Sequence, residues 1–235
     1  MVGRRGGGLI AGGIVAAALA AGCKTTSSVD LATADISAGI RVSATGANAS
    51  TATVQMSPGN GVVPTDVVKL GGGDTLYAAA NGQRKQMGAG TFDYEATFGT
   101  GAAETPFTVS LDRPRPEQID APDSTGTLPA PFDLSDLGGA RISEAQNVVL
   151  TWSPSGTADQ MVLNVQGSCV EDRTITLDGD PGTYAPPLEF ETLRSSCLVT
   201  LTLHRERAGT VDPNLNPGST FLLEQVRQTQ FNSYR

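Results

Sequence analysis

Hydrophobic and polar residues alternate in short runs along most of this chain, and turn residues separate the runs. A period of two marks a half-buried strand, because successive side chains point to opposite faces. The first half predicts strands near Ile40–Ala44, Ala52–Met56, Val67–Leu70, Thr75–Ala80, Gln83–Met87, Phe92–Phe98 and Phe107–Leu111. Asn81-Gly82 reads as a two-residue hairpin turn, since both turn positions need positive φ, and Gly71-Gly72-Gly73-Asp74 as another turn. Residues 113–131 break the pattern with Pro114, Pro116, Pro122, Pro129 and Pro131. Such a stretch predicts a semi-rigid extended linker and a domain boundary. Strands resume near Asn147–Trp152, Gln160–Gln166, Arg173–Leu177, Leu188–Glu191, Cys197–His204 and Phe221–Phe231. Leu222, Gln225, Val226 and Thr229 also have helical spacing, but a sandwich needs a closing strand there, and a strand is the expectation. The fold class is all-β: two β-sandwich domains, at 36–112 and 132–235.

The N-terminus follows a different rule. Arg4 and Arg5 give a short basic start, and Leu9 to Ala21 carry no charge. Leu19-Ala20-Ala21-Gly22 then leads into Cys23. This resembles the signal peptide and lipobox of bacterial lipoproteins, with Ala20 where leucine is the commoner choice. The resemblance implies cleavage after residue 22 and lipidation of Cys23. The alternatives are an ordinary secretory signal, which needs the same three regions, and a retained membrane helix, for which the apolar stretch falls short of about 20 residues. Lys24 follows the cysteine, and a non-acidic residue there resembles the pattern sent to the outer membrane of Gram-negative hosts. Residues 23–35 read as a flexible polar tether. The implied location is the bacterial cell envelope, on a membrane.

The chain has three cysteines. An odd cysteine in an exported protein needs a use. If Cys23 is acylated, Cys169 and Cys197 remain to pair in an oxidising compartment; two free buried thiols are the other possibility. Parity favours the bond. Cys169 continues the face of Met161, Leu163 and Val165 if no bulge intervenes, and Cys197 shares a face with Val199, Leu201 and Leu203.

Val148-Val149-Leu150-Thr151-Trp152-Ser153-Pro154, with the alternating strand at Met161–Val165, resembles the start of a fibronectin type III domain. That family carries a core tryptophan on its second strand. Cys197-Leu198-Val199-Thr200-Leu201, ending in Ala208-Gly209, resembles its later strand. The immunoglobulin pattern fits less well, because Trp152 precedes both cysteines. The layout as a whole resembles bacterial lipoproteins with two immunoglobulin-like domains, which implies a fold and no established activity.

Charge narrows the partners. Without Arg4 and Arg5 the chain carries 14 basic against 24 acidic residues, a net of −10. Nucleic-acid binding needs a basic footprint and is disfavoured. An acidic body is also repelled by anionic headgroups, which leaves acyl chains to hold it at a membrane.

Candidate chemistry is sparse. His204, the only histidine, falls on the strand face opposite Val199, Leu201 and Leu203, and no Gly-x-Ser-x-Gly elbow supplies a nucleophile for it. One histidine beside two paired cysteines leaves too few soft ligands for zinc or copper. Glu171-Asp172, Asp178-Gly179-Asp180 and Asp212/Asn214/Asn216 sit at turns, where such residues serve local turn chemistry. Calcium takes 6–8 oxygens, but none of these groups has the spacing of a known calcium loop. No catalytic, cofactor or metal residue is assigned, and no cofactor is expected. The expected function is a lipid-anchored, non-enzymatic binding or scaffolding module for an envelope protein or glycan. The alternatives are a carboxylate-dependent hydrolase using Asp178 or Asp180 and a calcium-stabilised adhesin module.

Overall fold

The structure is a computed structural model and describes residues 24–59, 62, 66–143, 146–189 and 196–234. Residues 1–23, which include the expected signal peptide and Cys23, lie outside the described residues. The described chain is all-β apart from two 3-10 turns, Ser28–Asp30 and Thr33–Asp35. No helix among the described residues is long and apolar enough to cross a membrane.

The first half holds β1 (Lys24–Ser27), β2 (Ile36–Gly46), β3 (Ala49–Pro58), β4 (Asp66–Lys69), β5 (Thr75–Ala80), β6 (Gln83–Gln86), β7 (Gly88–Ala89), β8 (Tyr94–Phe98), β9 (Pro106–Asp112) and β10 (Ala121–Thr127). The second half holds β11 (Asp133–Leu134), β12 (Arg141–Ser143), β13 (Leu150–Ser153), β14 (Gln160–Gly167), β15 (Arg173–Thr176), β16 (Thr183–Tyr184), β17 (Ser196–Ala208) and β18 (Thr220–Tyr234). The alternation fixed most of these, including β18 as a strand. Leu188 and Glu189, expected to open a strand, are irregular; 190 and 191 lie outside the described residues.

There are two cores. Ile36, Val42, Val54, Met56, Leu76, Phe107 and Val109 fill the first, between β2, β3 and β8 on one side and the sheet β10-β9-β5-β6 on the other. Phe132, Leu150, Trp152, Leu163, Val165, Leu201 and Phe231 fill the second, between the sheet β15-β14-β17-β18 and the small sheet β11-β13-β16. Trp152 is buried on β13, as the fibronectin type III resemblance implied.

The two sandwiches are not separate beads. β18 is antiparallel to β17 from Leu222 to Tyr234, and its first part, Thr220 to Gln225, is parallel to Gly39 to Ala44 of β2. One nine-stranded sheet therefore runs through both halves. Fifteen residues of β18 span about 50 Å at 3.3 Å each, enough to serve both. Phe221 and Leu223 enter the first core and Phe231 the second. The expected domain at 132–235 thus lends Leu215, Phe221 and Leu223 to its neighbour.

Between the cores, the inner face of this sheet turns polar. Arg205 and Gln225 are fully buried there. Gln225 Nε2 donates to the carbonyls of Gly101 (2.8 Å) and Pro129 (3.2 Å). Arg205 donates to the carbonyls of Ala130 (2.8 Å) and Pro154 (2.7 Å) and to Asp180 Oδ2 (2.9 Å). Arg207 bridges Asp159 of the second half (2.7 Å) and Glu104 of the first (2.7 Å). Proline lacks an N–H, so a proline-rich crossing presents carbonyl acceptors that suit these donors.

Two expectations are corrected. The linker at 113–131 is built into the first sandwich: β10 pairs with β9, and Arg113, Ala121, Ser124 and Leu128 are buried. Its prolines hid a strand that alternates weakly. The tether at 23–35 is also part of the body from Lys24 onwards, because β1 pairs in parallel with β4. Arg113 holds the segment that follows. It donates to Ser28 O, Leu31 O (3.1 Å), Thr33 Oγ1 (3.0 Å) and Asp74 Oδ2 (3.1 Å). A polar composition suggested solvent; the polar atoms are instead spent on a buried arginine.

Cys169 and Cys197 form a disulfide across 28 residues, with Cα atoms 5.7 Å apart. Ser233 Oγ accepts from the Cys197 N–H (3.2 Å), which ties the bond to the end of β18. Replacing both cysteines with alanine is expected to lower stability by roughly 3–4 kcal/mol, the loop-closure value for this length, as read by urea unfolding.

Candidate functional site

Strand register assembles one charged cluster on the outward face of the nine-stranded sheet. Period-two geometry sends His204 and Glu206 of β17 outward, while Leu203 and Arg205 point in. Glu206 pairs with Glu224 of β18, and Glu224 pairs with Ser43 of β2. Two long-range pairings thus bring together residues far apart in the chain.

Glu224 is the hub, with a side chain only 3% exposed. Its Oε2 accepts from Arg41 Nη1 at 2.9 Å and lies 2.9 Å from His204 Nδ1. Its Oε1 accepts from the Ser43 hydroxyl. His204 Nε2 lies 3.1 Å from the Asn164 side-chain amide on β14. His204 does face outward, but mid-strand and nearly covered, its side chain 13% exposed. Burial pushes the Glu224 carboxyl up, yet the bonds from His204 and Ser43 and the charge and bond of Arg41 outweigh it and hold the group at about 2, against an ordinary 4.5. Glu206 goes the other way: burial and the Glu224 charge raise it, more than His204 and Arg41 lower it.

This difference gives a pH prediction. Folding favours ionised Glu224, so its contribution is complete above about 4.5 and fades as pH falls towards 2. The full contribution is about 3 kcal/mol. Urea unfolding near neutral pH and near pH 3 should show an acid-side loss that Glu224→Gln removes. Glu206 acts in the opposite sense: its protonated form favours the fold, and that contribution is lost as pH rises through its folded value.

The chemistry open to the cluster follows from its order. The carboxylate sits between the hydroxyl and the imidazole, so Ser43 faces a carboxylate already bound by Arg41 and His204 and not the imidazole of a Ser–His pair. His204, Glu206 and Glu224 each offer a ligand atom within 4.8 Å of the others, the one such grouping among the described residues. Sequence reading assigned no metal ligand here. The alternation His204-x-Glu206 was the available signal; the place of Glu224 beside them needed the β17–β18 register. Arg41 already neutralises Glu224, which weakens the grouping as a cation site. Next to it, a shallow depression is lined by Gly39, Arg41, Thr53, Gln55, Phe92 and Asp93.

The other acidic groups read from the sequence are not brought together with this cluster. Asp180 is buried: Oδ1 accepts from Trp152 Nε1 (2.6 Å), and Oδ2 from Thr157 and Arg205. Asp178 is exposed at the same turn. Asp172 accepts from the Gly167 N–H (3.3 Å), and Glu171 lies 3.6 Å from Arg173. Asp212 accepts from the backbone N–H groups of Asp123 and Asn214. Asn214 and Asn216 donate to the carbonyls of Asp120 and Ala34. Asp180 serves the buried Arg205 and Trp152, Asp172 serves its own turn, and Asp212, Asn214 and Asn216 tie their loop to distant segments.

No family model matches the chain, and no curated protein matches it. Among solved structures, the FN1–FN3 domains of chicken CNTN1 are similar at 12% identity over 85% of this chain and 67% of that one, with a TM-score of 0.23. An overlap that low adds nothing to the strand order described above.

Proposed function

We propose that this chain is a lipid-anchored protein of a bacterial cell envelope that acts as a non-enzymatic binding or scaffolding module. Cys23 is the acylated residue, and the outward face of the continuous sheet meets an envelope protein or glycan. The observation that carries the binding reading is Arg41. Its guanidinium is fixed by buried Glu224 while its side chain stays 49% exposed beside the shallow depression. A held, half-exposed cation flanked by Thr53 and Gln55 suits recognition of a polar partner on a surface.

The test is photo-crosslinking in cells, with the reactive group at Thr53 of the full chain. An adduct with an envelope component is expected, reduced about tenfold by Arg41→Ala, which removes a charge-assisted contact. The same group at Arg84, on β6 of the opposite sheet, should give none. Equal labelling from both positions contradicts the assignment of the face.

A carboxylate-dependent hydrolase is the second reading, moved from Asp178 and Asp180 to Glu206 and Glu224, because Asp180 is taken up by Trp152, Thr157 and Arg205. Neighbouring carboxyls shifted in opposite directions are the pattern of an acid paired with an ionised partner. Envelope-glycan turnover that Glu206→Gln abolishes would favour this reading over the binding module.

A further inference from the structure

We propose that the turn Gly88–Phe92 is a second membrane contact, resting on the same lipid surface that takes the acyl chains of Cys23. This rests on the lipid-anchor reading above.

The fold leaves no spacer between anchor and body. β1 begins one residue after Cys23, and Thr25 pairs with Val67 of β4. Val67 and Lys69 line a surface hollow together with Ala89, Gly90, Thr91 and Phe92. Paired strands lie about 4.8 Å apart, and two residues span about 7 Å. The lipid surface that receives Cys23 therefore lies within about two strand spacings of this turn.

The chemistry of the turn fits that place. Gly88, Ala89, Gly90, Thr91 and Phe92 are all exposed, and none is charged. Phe92 is 47% exposed, one of four large hydrophobic side chains so placed among the described residues. Asp93, the next residue along the chain, is folded back into the turn, and the exposed carboxylate Glu95 stands opposite Gly88 at its base and not at its tip. The Gly90 N–H donates to Asp93 O (2.8 Å), and a side chain at Gly90 would run into Asp93 Oδ1. Tyr94 fixes the turn to β4 by accepting from the Leu70 N–H (2.8 Å). Exposed Lys69 stands beside it, where a lipid phosphate would suit it. The body as a whole is acidic and is held off anionic headgroups; a rigid, uncharged tip carrying one aromatic ring is the part that can approach. The acyl chains supply the attachment, and the turn sets which side of the body faces the bilayer.

The test uses the full acylated chain in phosphatidylcholine vesicles whose acyl chains are brominated. Phe92→Trp and Thr91→Trp report the turn. Leu198→Trp reports an exposed site on β17, opposite Asn232 of β18 and seven residues beyond the last pairing with β2. Trp152 is buried in the second core and gives a common background. Quenching several-fold stronger in the two turn variants than in Leu198→Trp is expected. Equal quenching overturns the contact and leaves the anchor standing. The intact mass of the same preparations separates the two claims: wild-type protein without acyl mass at Cys23 overturns the anchor and the contact with it.

Discussion

Asp180→Ala is expected to lower the stability of the folded chain by about 3–5 kcal/mol, the cost of leaving a buried charge without its partner. Arg205 and Asp180 both have fully buried side chains and meet at 2.9 Å. Arg205 would keep the carbonyls of Ala130 and Pro154, but these are neutral acceptors. Trp152 Nε1 and the Thr157 hydroxyl would lose their acceptor as well. Burial alone would push the Asp180 carboxyl up; the bonds from Trp152 and Thr157 and the charge of Arg205 outweigh it and hold the group below its ordinary 3.8. Asp180→Asn keeps the shape and loses the charge, so it should fall between alanine and wild type. Thermal unfolding reads the effect, about 2–4 °C per kcal/mol for a chain of this size. A shift within error of wild type would remove the Arg205 clamp from the account of how the two sandwiches are joined.

Asp74→Ala should cost a similar amount in the first sandwich, about 3–5 kcal/mol. Asp74 accepts from Arg113 Nε at 3.1 Å and from Arg115 Nη2 at 2.9 Å, and the Arg113 and Asp74 side chains are both fully buried. The consequence differs from that at Asp180, because Arg113 also holds Ser28, Leu31 and Thr33. Loss of Asp74 should loosen residues 24–35, read as faster backbone hydrogen exchange and new protease cleavage there. The two sites share no partner, so their costs should add. The sum approaches the whole stability of an ordinary domain, and the double variant should not accumulate as folded protein.

The strands were legible because they are half-buried, and half-burial writes a period-two signal into the sequence. Asn81-Gly82 gave the hairpin between β5 and β6, and Asn81 and Gly82 both have positive φ. Parity placed Cys169 and Cys197 on core faces, and their bond is present. The second-sandwich core was visible in Trp152, Leu163 and Leu201. What stayed hidden depends on pairing between distant segments. Nothing in Thr220–Gln225 shows that it runs parallel to β2, and the same register puts Ser43 and Arg41 beside Glu224. β10 was hidden because Ala121-Pro122-Asp123-Ser124 alternates small and polar residues around a bulge. The segment 24–35 looked like a tether because its polar side chains and carbonyls, bound to a buried arginine, resemble in sequence those that would face water.

The central claim is the acylated cysteine at the threshold of the body. The measurement that tests it most directly is the intact mass of the protein from the membrane fraction, non-reduced and reduced, beside a Cys23→Ser variant. The predicted result is a chain starting at Cys23 with a diacyl or triacyl mass and a gain of two hydrogens on reduction, while Cys23→Ser lacks the acyl mass and leaves the membrane. An unlipidated, soluble wild-type product would contradict the account.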